Sequence, residues 1–192
     1  LAFIIFLIMF TMGSVLTLRL GFLFSMVIAS YILLNIIYTN YIKKIIILDL
    51  IFLMMFYTIR LLAGYVPLTV LPSPWLLSFS IFLFFSLGLL KRYIEIIFLK
   101  DNNVVSISGR GYSFNDSNIL MTMGVSSGLV SGLVLLLYTG SENVTMLYYR
   151  PLILIAIVPI YLYWITWMWF MAERRKIKSD PVIFAVKNKS TY

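Results

Sequence analysis

"ILDLIFLMMFYTIRLLAG", residues 47–64, has the length and apolarity of a membrane span, yet it carries Asp49 and Arg60. A charged side chain at the centre of a bilayer costs about 2.5–3.5 kcal/mol on insertion scales, so two in one span require a reason. Eleven residues separate them. At about 100° per residue this returns both to nearly the same helix face, about 16 Å apart along the axis, too far for a direct salt bridge. Either both line one aqueous cavity, or Asp49 hydrates at one interface while Arg60 snorkels past Gly64 toward the other.

The rest of the chain shares this character. Of 192 residues, 62% are hydrophobic and 11% charged, and the mean hydropathy is +1.02. These values define a membrane protein. With about 20 residues per span, apolar segments fall at 1–18, 21–39, 45–65, 74–94, 119–138 and 149–170. The expected fold is an all-α polytopic membrane bundle of six or seven helices. It forms a single integral-membrane domain over residues 1–192, with residues 171–192 as a cytoplasmic tail.

Charge sets the orientation. Lys43 and Lys44 mark the second loop, Lys91, Arg92, Lys100 and Arg110 the fourth, and Arg174, Arg175, Lys176 and Lys178 the tail. The third loop, "VPLTVLPSP", has no basic residue. Alternation of this kind places the second loop, the fourth loop and the tail in the cytoplasm, with a bacterial inner membrane as the expected site. The formal charge of +8 would suggest nucleic acid in a soluble domain. Here the basic residues flank apolar runs, so they read as topology signals and contacts to lipid headgroups, with no nucleic-acid partner.

Chemistry is restricted by what is missing. The chain has no cysteine and no histidine, which excludes thiolate chemistry, imidazole bases and histidine-bound metals. Its acidic residues number seven. In "LLKRYIEIIFLKDNN", Lys91, Arg92 and Glu95 lie within about one helical turn, a set that suits a bound phosphate and a magnesium ion or, equally, an ordinary positive-inside stop. "SGRGYS" adds Arg110 and flexible N–H groups as a further anion seat. "GVSSGLVSG" places Gly124, Gly128 and Gly132 on one face for close helix packing, and "YLYWITWMW" reads as an interfacial aromatic belt.

The order of "YTNYIKK", "LDLIFLMMFYTIRLLAG", "SPWLLSFSIFLFFSLGLLKRYIE" and "DPVIFAVKNK" resembles the UbiA superfamily of intramembrane prenyltransferases. Within it, the pattern is similar to the decaprenyl-phosphate phosphoribosyltransferase-like branch. The resemblance implies about nine membrane helices around a cavity open to the cytoplasm, where magnesium and acidic motifs hold the diphosphate of a polyprenyl substrate. The family's first motif, Asn-Asp-x-x-Asp-x-x-x-Asp, does not occur here. The chain is therefore expected to start at the third helix and to represent the C-terminal two-thirds of such an enzyme.

Carried over by position, Lys43, Lys44, Lys91, Arg92 and Arg110 would contact diphosphate. Asp49, Arg60 and Glu95 would act catalytically, with Asp49 and Glu95 also as metal ligands. The implied substrate is a polyprenyl phosphate or diphosphate, used in prenyl or phosphoribosyl transfer. Two other outcomes compete: an inactive membrane fragment, and a small transporter. The chain by itself is expected to lack transferase activity, since the missing motif would supply most of the carboxylates.

Overall fold

The computed structural model describes residues 2–68, 72–101, 111–141, 144, 152–177, 181 and 184. The long apolar runs become helical, because β-strands would leave backbone groups unpaired in a greasy setting whereas a helix satisfies them internally. The helices are α1 (Ala2–Arg19), α2 (Phe22–Asn40), α3 (Leu48–Tyr65), α4 (Pro74–Asp101), α5 (Ser117–Thr139), α6 (Leu152–Ile155) and α7 (Ile157–Glu173). No strand occurs among the described residues. The expected all-α bundle is what the chain forms.

The boundaries have local causes. Gly21, with φ 105°, makes the turn between α1 and α2; a side chain would be strained there. Pro74 opens α4 at the first helical position, where its missing N–H costs nothing. α6 and α7 are separate because the Pro159 ring clashes with the carbonyl four residues earlier, at Ile155, and α6 ends on that residue. Beyond α7, the Arg175 N–H donates to the Ala172 carbonyl at 2.9 Å and the Lys176 N–H to the Met171 carbonyl at 3.0 Å. With Arg175 at φ 57°, this is a Schellman reversal built without glycine.

That reversal redirects the expected tail. Ile177 is buried, and the Phe184 ring stacks on Trp167 at 5.7 Å between centroids. Ile177 and Phe184 thus lie against the bundle. One departure concerns α4, which continues to Asp101 instead of stopping near residue 94. No glycine or proline interrupts residues 89–101, and Leu89, Leu90, Tyr93, Ile94 and Ile96 remain buried, so packing carries the helix past its basic residues. Lys91, Arg92 and Glu95 consequently project from inside a helix.

α4 is the centre of the bundle, packed against α3, α5 and α7. The glycine face of α5 makes the close contacts: a Cβ on Gly124 would collide with the Trp169 indole, and one on Gly128 would lie 2.8 Å from Ile165 Cγ1. Hydroxyls stitch the same seam. Ser86 Oγ donates to the Gly124 carbonyl and Ser127 Oγ to the Phe82 carbonyl, both at 2.7 Å. Small residues and interhelical hydroxyl bonds are the means by which helices associate where lipid competes for apolar contacts.

The periphery is looser. α2 buries no residue. Phe22–Asn40, Leu48–Leu68, Phe114–Thr139 and Ile153–Glu173 are each long and apolar enough to cross a membrane, and large apolar side chains such as Leu33, Leu133, Ile160 and Phe170 lie exposed. This is a membrane-embedded helix bundle.

Candidate functional site

The connector between α2 and α3 sets where Asp49 points. After a 3-10 turn at Ile42–Lys44, Ile47 adopts φ 71° and ψ −47°, and the Leu48 N–H donates to the Ile46 carbonyl at 2.8 Å. This is a γ-turn of the rare positive-φ kind. For a β-branched residue such a conformation is a true outlier, costing about 1–3 kcal/mol and persisting only where the surroundings enforce it. The enforcement comes from beyond α4: Tyr112, itself buried, accepts the Ile47 N–H on its hydroxyl at 3.2 Å. Gly111 lies so close that a Cβ would be 2.7 Å from the Lys44 carbonyl oxygen.

With α3 so started, Asp49 occupies its first turn and is 0% exposed. Arg92 of α4, 2% exposed, meets it as a fork. Arg92 Nε donates to Asp49 Oδ2 at 2.5 Å and Nη2 to Oδ1 at 2.9 Å. The third nitrogen, Nη1, donates to Glu95 Oε2 at 2.8 Å. The Tyr38 hydroxyl at the end of α2 donates to Asp49 Oδ1 at 2.5 Å and accepts from Arg92 Nη2 at 3.2 Å. Three helices therefore meet at one guanidinium, in the bidentate geometry that lysine cannot supply.

Of the residues singled out in the sequence, the fold brings Asp49, Arg92 and Glu95 together. Lys43 and Lys44 lie in the connector that leads to Asp49, with Lys44 exposed. Lys91 is exposed and lines a small depression with Tyr57, Phe84 and Pro181. Arg60 is not brought to the cluster: its contacts are Tyr31 and Tyr57. Arg110 lies outside the described residues. Tyr38 and Tyr112 escaped the sequence reading, since nothing distinguishes them in a chain with 13 tyrosines.

The donor set tests the implied magnesium. Both Asp49 oxygens accept from Arg92, and one also accepts from Tyr38. Glu95 contributes an oxygen to the same guanidinium, its side chain 34% exposed. Magnesium requires near-octahedral oxygens and usually keeps several waters. A fully buried carboxylate already filled by a guanidinium does not fit that ion, and Arg92 occupies the space between the two acids. No group of three or more acids gathers among the described residues.

The chain is similar to two rhizobial proteins. Over 187 residues it is 31% identical to "Uncharacterized protein y4nM" of Sinorhizobium fredii, covering 97% of this chain and 36% of that protein. Over 185 residues it is 29% identical to "Nodulation protein NoeC" of Azorhizobium caulinodans, covering 96% of this chain and 60% of that protein. It thus spans only part of the length of either relative. No family model matches the chain, and no solved structure matches it.

Proposed function

We propose that the chain belongs to the membrane unit of a UbiA-type transferase acting on a polyprenyl phosphate or diphosphate. Its charged end would face the cytoplasm as part of a multi-pass protein of the bacterial inner membrane. The observation that carries this reading is the gathering of Tyr38, Asp49, Arg92 and Glu95 at one end of an otherwise apolar bundle, beside the lysines of the α2–α3 connector. Apolar walls suit a prenyl chain, and cations at their polar end suit its phosphate.

The reaction in this reading is phosphoribosyl transfer. A phosphate oxygen of the polyprenyl phosphate attacks the ribose C1, the C1–O bond to diphosphate breaks, and diphosphate leaves with the bonding electrons. Lys43 and Lys44 would neutralise charge on the departing group. Arg92 is committed to Asp49 and Glu95, so it is a positioning residue that holds α2, α3 and α4 in register behind the lysines. Carboxylates for any bound magnesium would have to come from residues other than Asp49 and Glu95.

The test uses membranes containing the full-length protein, supplied with polyprenyl phosphate and labelled phosphoribosyl diphosphate. Label should enter the lipid fraction. Lys43→Met with Lys44→Met should lower turnover about tenfold or more at matched expression, whereas Arg174→Ala should not. Absence of labelled lipid with the unaltered protein would overturn the reading.

A further inference from the structure

The second charge of α3 has surroundings unlike the first. Arg60 is exposed, and its Nε and Nη2 both donate to the Tyr31 hydroxyl of α2, at 2.9 and 2.5 Å. The guanidinium carbon lies 5.3 Å from the ring centroids of both Tyr31 and Tyr57. Two aromatic faces and one hydroxyl therefore fix the plane of the guanidinium along one edge. The Nη1 group donates to none of the described residues, and no carboxylate among them pairs with Arg60. A cation within an apolar span ordinarily has a counter-charge or water.

Beside it runs a groove of about 330 Å³ between α2 and α3. Phe24, Val27 and Ile28 form one wall and Ile59 and Ala63 the other, with Arg60 at the polar edge. The combination of an apolar trough and one oriented, acid-free cation is complementary to an amphiphile with an anionic head. We propose that this groove binds an anionic phospholipid, its phosphate on Arg60 Nη1 and an acyl chain along the trough. Arg60 sits five residues before the end of α3, a depth from which an arginine reaches the headgroup layer. The site is about 16 Å along α3 from Asp49 and does not depend on the transferase reading.

The full-length protein in detergent is titrated by native mass spectrometry with phosphatidylglycerol, phosphatidylcholine and inorganic phosphate. Phosphatidylglycerol should bind about tenfold or more tightly than phosphatidylcholine, and Arg60→Met should erase the difference. Ile28→Trp, which fills the trough and leaves the cation intact, should weaken phosphatidylglycerol to a similar degree. Equal affinity for the two lipids, or no response to Arg60→Met, overturns the proposal. Complete displacement by inorganic phosphate, or indifference to Ile28→Trp, would make it a free-anion site and likewise overturns it. If Arg60→Met does not fold, the Ile28→Trp and phosphate measurements decide alone. A groove that takes up no lipid, because another part of the protein covers it, also counts against the proposal.

Discussion

α3 holds its two charged residues by opposite means. At one end, Asp49 is removed from solvent, and its charge is matched by a guanidinium fork from another helix and a tyrosine hydroxyl from a third. At the other, Arg60 stays exposed and is held by an aromatic hydroxyl and two ring faces, with no acid among the described residues. Burial forces the first to be complete. Incomplete compensation in the interior leaves an ion without water, whereas at the surface solvent or a headgroup supplies the remainder. One helix therefore shows a closed electrostatic unit and an open one.

The largest effect should come from opening the closed unit. Arg92→Met takes the guanidinium away from the buried Asp49 carboxylate, and should destabilise the protein by about 3–5 kcal/mol in a denaturation experiment in detergent. The double variant Asp49→Asn with Arg92→Met should recover much of that loss, because no lone charge remains. If the double variant is as unstable as Arg92→Met alone, the pair is not the unit described.

Intermediate loss is expected at Tyr38→Phe. It removes one donor from a carboxylate that keeps its guanidinium, so about 1.5–3 kcal/mol, the range for bonds to charged groups, sets the scale. Glu95→Gln should cost less than about 1 kcal/mol, since its side chain is 34% exposed and its bond to Arg92 is screened. A large effect there would mean that Glu95 matters to folding as much as Asp49 does. Arg60→Met should change stability least, within about 0.5 kcal/mol in thermal denaturation, while altering lipid binding. A loss as large as that of Arg92→Met would erase the distinction between the two ends.

The six apolar runs were readable because a bilayer-length hydrophobic stretch has few alternatives to a helix, and the glycine face of α5 was readable because its spacing is helical. Asp49, Arg92 and Glu95 could be flagged as costly charges, but not paired. Residues 49 and 92 are 43 positions apart, and no local pattern encodes that meeting. Adjacent in sequence, Lys91 and Arg92 also look like one cationic group. In a helix, neighbours point about 100° apart, so Arg92 enters the interior while Lys91 faces a different depression.

From composition and periodicity alone follow the all-α bundle, the membrane-embedded character and the few residues able to carry charge within it. These follow because the cost of exposing backbone and charge to an apolar medium is a local property of the chain. Tertiary structure alone decided which cation answers Asp49, that Tyr38 and Tyr112 serve it, and that Arg60 belongs elsewhere. Those outcomes depend on helix rotation, on the strained turn at Ile47 and on the reach of α4 past its apolar run, which arise only when the helices pack against one another.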